Sequence, residues 1–232
     1  MLPYEQLSEY CYASMFEECQ YLINMPALPA TTLAEGCYYK MFLYCQDLTN
    51  IRNLPATTLA SYCYASMFDS CVSLTSAPEL PATTLADYCY YCMFYGCASL
   101  TSVPELPVTA LAESCYEYMF SGCTSLTSAP ALPATTLVKD CYYRMFNGCT
   151  SLISAPELPA TILAEGCYEY MFKNCTSLNY IKCLATNIDA NDSTLDWLSN
   201  VSLDGTFVKA SSMTSWPTGS NGIPTGWTVE DA

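Results

Sequence analysis

The chain repeats its apolar residues at a fixed interval of 26 positions. The pair Met15-Phe16 returns every 26 residues as far as Met171-Phe172. Fourteen of the sixteen cysteines keep the same interval, in the columns Cys11, Cys37, Cys63, Cys89, Cys115, Cys141, Cys167 and Cys19, Cys45, Cys71, Cys97, Cys123, Cys149, Cys175. A unit of this length cannot bury its own apolar face, so the period predicts units that stack on one another. We expect seven repeats in residues 2–183.

Within each repeat, the pattern predicts two elements. In the second repeat, apolar residues at spacings of three and four predict a short α-helix or 3₁₀ turn over residues 33–45. Thr32 and Glu35 have the spacing of a capping box at its start. The Ser/Thr-rich, Pro-punctuated half, at residues 74–80 in the third repeat, predicts a short strand and a turn. The expected fold class is therefore an α/β leucine-rich repeat solenoid with one such pair of elements per 26-residue repeat.

The last part of the chain loses the period. It also contains all three tryptophans, Trp197, Trp216 and Trp227. The end of a solenoid needs a cap, because its last unit otherwise exposes its core to water. We therefore divide the chain into a solenoid over residues 2–183 and a capping module over residues 184–232. In the cap, we expect a helical turn at 194–201 and a strand at 205–209.

Charge and composition exclude several classes of partner. The chain has 22 acidic and 7 basic residues, and its net charge of -15 repels phosphate backbones and anionic membrane surfaces. Its apolar runs end well before the ~20 residues of a bilayer span. Met1 is followed at once by the first repeat, so no signal peptide is visible, and we expect Met1 to open a trimmed or mature chain. We expect neither nucleic-acid binding nor membrane insertion of this chain.

The chain lacks the residue type on which several classes of catalysis depend, although paired carboxylates remain possible in principle. The chain has no histidine, which removes Ser-His-Asp and Cys-His catalysis. Acidic residues recur with the repeat, as at Glu79 and Glu105, and this recurrence is typical of a scaffold. Cys89 and Cys92 form the only C-x-x-C pair, without a histidine to complete a zinc site. We expect a non-enzymatic protein with no catalytic residue, no cofactor and no metal.

The cysteine columns allow three interpretations. The two cysteines of one repeat lie eight positions apart, about 12 Å along a helix, which excludes a disulfide within the repeat. We favour buried, reduced thiols that act as small hydrophobic side chains. Disulfides between adjacent repeats, and a zinc or redox role, are the alternatives.

Tyrosine recurs in two columns. One is unbroken from Tyr12 to Tyr168, and we expect it to pack between the predicted helices, with an aromatic contact face as the alternative. The other column alternates and contains Tyr39, Tyr91 and Tyr143. The alternating column is the better candidate for ligand binding, because a structural need predicts tyrosine in every repeat.

Two further surfaces contain candidate binding residues. The candidates on the predicted strand face are Thr75, Thr101, Thr127, Glu79 and Glu105. Solenoids commonly hold extended partners on this face, and the alternative is a solvated Ser/Thr ladder. In the cap, Trp216 and Trp227 are candidates for a carbohydrate-stacking platform, with a role in the cap core as the alternative.

Near copies of the block L-T-S-A-P-E-L-P-A-T-T-L-A-E-S-C-Y-E-Y-M-F-S-G-C-T-S fill most of the chain. This block resembles the BspA-like leucine-rich repeats of bacterial surface proteins. The resemblance implies an exported protein, at the cell surface or extracellular, that adheres to or recognises host or microbial macromolecules. The implied partner is an extracellular protein or glycan. A structural spacer without a ligand, and a glycan-binding module that uses aromatic residues, are the alternatives.

Overall fold

The structure is a computed structural model that describes residues 7–232. The predicted start of the first repeat, at residue 2, lies outside the described residues. From residue 7 onward, each repeat forms one coil, and backbone amides donate hydrogen bonds to carbonyls of the following coil. The Tyr38 amide donates to the Cys63 carbonyl at 3.1 Å, and the Phe42 amide donates to the Met67 carbonyl at 3.0 Å. The predicted stacking of repeats is therefore observed.

One side of each coil, the turn side, consists of residues 34–45 in the second repeat and their equivalents 26 positions apart. Every second amide closes a four-residue turn within the coil, as when the Tyr39 amide donates to the Gly36 carbonyl at 2.9 Å. The intervening amides leave the coil, as when the Lys40 amide donates to the Ala65 carbonyl at 2.9 Å. Carbonyls alternate in the complementary way, so residues 36–43 have every backbone group paired.

The helix predicted over residues 33–45 is wrong. Gly36, Lys40 and Tyr44 have φ angles of 55°, 56° and 59°, whereas a right-handed helix needs negative φ throughout. Left-handed backbone costs a residue other than glycine about 1–2 kcal/mol, and the hydrogen bonds in both directions stabilise it here. Thr32, the predicted helix cap, instead pairs with Thr58 in a parallel bridge.

The turn side directs two residues inward and the next two outward. The inward pairs of the second repeat are Cys37-Tyr38 and Met41-Phe42, and all four side chains are buried. Their equivalents stack from coil to coil. The rings of Phe42 and Phe68, for example, have centroids 5.6 Å apart and planes 5° apart. These stacked columns form one continuous hydrophobic core.

A second side, the bridge side, carries one short parallel pairing per coil. Ser76 pairs with Ser102, and Ser128 pairs with Ser154, in isolated bridges. The strand predicted over residues 74–80 is thus reduced to a single bridged residue. Pro78 explains the interruption, since proline has no amide to donate to a neighbouring strand.

Regular strands appear only near the C-terminal end of the described residues. They are β1 (Tyr180–Cys183), β2 (Thr206–Lys209) and β3 (Thr228–Asp231), and they form a parallel sheet in the order β1-β2-β3. Strand β1 extends the bridge side, because Tyr180 also pairs with Ser154. Strand β2 lies where the sequence predicts one. Within residues 7–232, no helix has the length and apolar character needed to cross a membrane.

The coils continue past residue 183. The Phe172 amide donates to the Trp197 carbonyl at 3.0 Å, and Trp197 lies 26 positions after Met171. The helical turn predicted over residues 194–201 is wrong, since Asp196 and Asn200 have φ angles of 50° and 61°. The division into a solenoid and a separate capping module stays a prediction.

Candidate binding surface

The threonine candidates form an exposed row beside the bridge side. Thr75, Thr101 and Thr127 are exposed. The Thr101 hydroxyl donates to the Thr75 carbonyl at 3.2 Å, and the Thr101 amide donates to the same carbonyl at 3.0 Å. The row therefore presents small polar groups, and one of its three hydroxyls, that of Thr101, is already used within the scaffold.

The glutamate candidates place a carboxylate on each of two neighbouring coils. Glu79 and Glu105 are both exposed. Glu157 of the same column accepts a hydrogen bond from Lys182 at 2.9 Å, and it lines an open groove of about 260 Å³ with Leu132 and other residues. This column therefore provides a spaced acidic row.

The alternating tyrosines belong to two different groups. Tyr39 lies edge-on to Tyr10, with ring centroids 6.2 Å apart, and the Lys40 ammonium lies 5.1 Å from the centre of the Tyr39 ring. Tyr91 and Tyr143 both contact Tyr118, which lies between them on the turn side. The structure thus brings two of the three candidates into one surface and leaves Tyr39 outside it.

This surface, the tyrosine band, consists of Tyr88, Tyr91, Tyr95, Tyr118, Tyr143 and Tyr170. Neighbouring rings meet edge to face, with centroids 5.4–6.1 Å apart. Such pairs contribute about 0.5–1.5 kcal/mol each beyond the area that they bury. Five of the rings are half-buried, and Tyr95 is 40% exposed. The band is therefore both packed and accessible.

Four of the band's tyrosines were missed by the sequence analysis, which followed one column at a time. Tyr118 and Tyr170 stand one column after Tyr91 and Tyr143, in the intervening repeats. Four successive coils thus supply a tyrosine from alternate columns, and stacking places these rings side by side. This alternation is the signal that predicts the band. Tyr88 and Tyr95 follow no such rule.

Arg144 is the cation of the band. Its guanidinium carbon lies 5.4, 5.3 and 4.2 Å from the ring centres of Tyr118, Tyr143 and Tyr170. Its Nε atom is buried without a hydrogen-bond partner among the described residues. The electron-rich ring faces attract the guanidinium. So do the carboxylates of Glu117 and Glu169, since burial raises their pKa values and Arg144 opposes that effect.

Burial raises the pKa of two tyrosines of the band and of the acids beside it. Burial raises the pKa of Tyr118 to about 12 and also raises the pKa of Tyr91. Burial raises the pKa of Asp69 to about 6, against the lowering effect of the Ser70 hydroxyl. The pKa of Glu117 is also raised by burial. A cation that contacts these carboxylates therefore compensates for the solvation that burial removes from them.

The unbroken tyrosine column belongs to the core. Tyr90 and Tyr116 are each 2% exposed, and their rings stack with centroids 5.8 Å apart. The column continues from Tyr168 onto Trp197, with centroids 6.0 Å apart. The prediction that this column packs between repeats is confirmed, although the repeats contain turns rather than helices.

The tryptophan candidates pack in the cap. Trp216 is half-buried and stacks on Trp197, with centroids 5.7 Å apart. Trp227 is 7% exposed, and its Nε1 donates to the Ser202 carbonyl at 2.9 Å. Both rings pack against the protein, Trp227 almost completely, so the geometry favours the core role.

The thiols of the second cysteine column donate hydrogen bonds to backbone carbonyls of another coil. The Cys97 thiol donates to the Phe68 carbonyl at 3.1 Å, and the Cys123 thiol donates to the Phe94 carbonyl at 3.2 Å. Burial raises the pKa of Cys115 in the first column to about 12, which suppresses the reactive thiolate. In the part of the chain that the structure describes, no three Cys, Asp or Glu side chains group as metal ligands do.

Comparison with known proteins identifies the repeat. The family model described as BspA type leucine rich repeat region matches in six copies, over residues 10–109 and 90–209. These ranges include both the tyrosine band and the coil that carries Trp197. Neither the curated proteins nor the solved structures yield a match to this chain.

Proposed function

The chain belongs to the BspA-type leucine-rich repeat family, and from this premise we propose that it is a non-enzymatic recognition protein that binds an extracellular macromolecule through the tyrosine band. The observation that carries the proposal is the continuity of the band. The rings of Tyr91, Tyr118, Tyr143 and Tyr170 come from four successive coils and contact each other in one row. Tyrosine is enriched at interfaces, because it supplies amphipathic area at a low cost in side-chain entropy.

The band is a better candidate than the bridge side for two reasons. Its rings offer large contact areas, whereas the row of Thr75, Thr101 and Thr127 offers only small hydroxyl-bearing side chains. Its packing also fixes the rings before a partner arrives, which reduces the entropy lost on binding. The bridge-side hydroxyl of Thr101 is already used within the scaffold.

A location at the cell surface or outside a bacterial cell is part of the same proposal. Its support is the family, whose members are typically surface or extracellular proteins. The lack of histidine supports a binding role over catalysis. The net charge of -15 favours a partner with basic groups.

The test compares binding by the two sides of the coil. We expect the wild-type chain to capture at least one member of a panel of extracellular matrix proteins and glycans. A Tyr91→Ala/Tyr143→Ala variant that retains its fold by circular dichroism loses this capture. A Thr75→Ala/Thr127→Ala variant, the matched control, keeps it.

Three results overturn the proposal. Loss of capture in the threonine variant alone moves the function to the bridge side. Absence of capture by every protein, including the wild type, favours a structural spacer. Capture of glycans alone, with no effect of the tyrosine substitutions, favours a glycan module elsewhere on the chain.

A further inference from the structure

The tyrosine band contains two clusters that differ in one respect. The filled cluster consists of Tyr118, Tyr143 and Tyr170 around the guanidinium of Arg144, at 4.2–5.4 Å from the ring centres. It shows, within this chain, how the turn side holds a guanidinium group. Two repeats earlier, Tyr91 and Tyr118 occupy the columns of Tyr143 and Tyr170, whereas Ser66 occupies the column of Tyr118. The filled cluster is therefore a geometric template for two rings of the second cluster.

The open cluster consists of Tyr88, Tyr91, Tyr95 and Tyr118. Tyr91 and Tyr95 each lie with ring centroids 6.1 Å from that of Tyr118, and Tyr88 lies 6.1 Å from Tyr91. The residue two repeats before Arg144 is Cys92, which is buried and uncharged. The open cluster therefore has no cation at the equivalent position, although Arg144 lies 5.4 Å from the centre of one of its rings, that of Tyr118.

No other cation of the chain can fill it. All seven lysines and arginines lie in the described residues. Apart from Arg144, their partners lie elsewhere: Lys40 over Tyr39, Arg52 on the Met25 carbonyl, Lys139 with Glu165, Lys173 with Tyr170 and Asp196, Lys182 with Glu157, and Lys209 with Asp231. Any cation over the open cluster must come from another molecule.

Two carboxylates flank the open cluster. Asp69 stands one repeat before Tyr95 in the same column, and Glu117 is adjacent in sequence to Tyr118. Both acids lie close enough to Cys92 to raise the pKa of its thiol, after the larger effect of burial. Both are only partly exposed. The rings and the carboxylates thus favour the same kind of ligand, a positively charged group with a flat or compact head.

We propose that the open cluster binds an arginine or lysine side chain of a basic peptide segment in the partner protein. The guanidinium or ammonium group enters over the rings of Tyr91, Tyr95 and Tyr118, as Arg144 does over its own three rings, and its charge pairs with Asp69 and Glu117. This inference rests on the proposed function, since it names the chemical class of partner for the tyrosine band. It also explains how a strongly acidic protein with a neutral aromatic surface selects its partner.

The test uses a peptide pair that differs in charge alone. Acetyl-(Gly-Arg)₃-amide and the same peptide with citrulline in place of arginine are titrated into the full chain by isothermal calorimetry. We expect the arginine peptide to bind at least tenfold more tightly than the citrulline peptide. A Tyr88→Leu/Tyr95→Leu variant is expected to lose about fivefold in affinity for the arginine peptide, because Tyr95 is one of the three contacted rings and Tyr88 packs edge-on against Tyr91, another of them.

The control variant is Tyr21→Leu, because Tyr21 is 88% exposed and lies in the first repeat, outside the band. All these substitutions leave the net charge at -15, so a loss of affinity does not reflect general attraction to an acidic protein. Equal binding of both peptides, or equal affinity of the Tyr88→Leu/Tyr95→Leu variant and the wild type, overturns the inference. If one of these two results is found while macromolecule capture still depends on Tyr91 and Tyr143, this inference fails but the proposed function stands. If the chain binds the arginine peptide selectively but macromolecule capture does not change in the Tyr91→Ala/Tyr143→Ala variant, the proposed function is rejected instead.

Discussion

The turn side and the bridge side share one period but are held together differently. Between the third and fourth repeats, five turn-side amides, from Tyr62 to Ser70, donate to carbonyls of the next coil. On the bridge side, only three amides, those of Ala77, Thr101 and Ser102, donate across the same two coils, around the isolated bridge of Ser76 and Ser102. Dense backbone bonding fixes the turn side, so its outward side chains can vary from coil to coil without loss of the fold. A rigid element with variable side chains is the better platform for specific binding.

The largest expected effect on stability comes from a substitution in the core beneath the turn side. Phe120 is fully buried and stacks on Phe94 and Phe146, with centroids 5.7 and 5.8 Å away. We expect Phe120→Ala to lower the free energy of unfolding by about 3–5 kcal/mol in urea denaturation. Ser128→Ala on the exposed bridge side is the control, with an expected change within about 0.5 kcal/mol. Similar losses in both variants contradict the contrast.

The acid beside the open cluster predicts a pH effect on stability. The pKa of Asp69 in the folded chain is raised by burial to about 6, above its ordinary value, so the folded state holds this proton more tightly than the unfolded state. Stability from this group is present below pH 4 and is lost as the pH rises through 6. We expect Asp69→Asn to increase the free energy of unfolding by about 1–2 kcal/mol at pH 8 and to have little effect at pH 4. Glu79→Gln, at an exposed carboxylate, is the control, and a pH-independent effect of Asp69→Asn contradicts the prediction.

The filled cluster predicts a stabilising role for its cation. Removing Arg144 eliminates contacts with three partly buried rings. We expect Arg144→Ala to lower the free energy of unfolding by about 1–2 kcal/mol. Lys139→Ala, which removes an exposed ion pair of 3.6 Å with Glu165, is expected to cost less than about 0.5 kcal/mol. Equal effects of the two substitutions in thermal or urea unfolding exclude a special role for the guanidinium.

The smallest expected effect is that of a glycine substitution on the turn side, and its sign distinguishes a turn from a helix. Ser66 has a φ angle of 53°, whereas Ala65 is absent from the residues with positive φ. Glycine relieves the left-handed backbone at residue 66, so we expect Ser66→Gly to raise the free energy of unfolding by about 0.5–1 kcal/mol. Ala65→Gly is expected to lower it by a similar amount. A helix at this place predicts a loss for both variants, and that result contradicts the turn geometry.

The sequence was sufficient to predict the stacked coils and most of the core. The Met-Phe and Cys columns recur at one spacing. When a column repeats in every unit, predicting that one of its residues is buried predicts the burial of all of them. Leu74 and Leu80, the apolar residues at the two ends of the predicted strand and turn, are both buried. Such inferences succeed because burial of an apolar column follows from composition and period alone.

The sequence did not distinguish turns from a helix, since inward positions at 37, 38, 41, 42 and 45 fit a period of four as well as one of 3.6. The deciding hydrogen bonds run to the next coil, and lysine at position 40 gives no sign of a positive φ. Gly96, Gly122 and Gly148 in one column are the available signal, because their φ angles of 67–77° suit glycine. The tyrosine band was missed for a similar reason: it depends on contacts between columns of different coils.

Oxidative footprinting of tyrosines, with and without a captured macromolecule, tests the central claim that the turn side is the binding surface. Tyr180 is 38% exposed and starts β1, at the bridge side, so it serves as an internal control beside Tyr95, which is 40% exposed. We predict that the partner protects Tyr91, Tyr95 and Tyr143 and leaves the oxidation rate of Tyr180 unchanged. Protection of Tyr180 with no change at Tyr91, Tyr95 and Tyr143 contradicts the account.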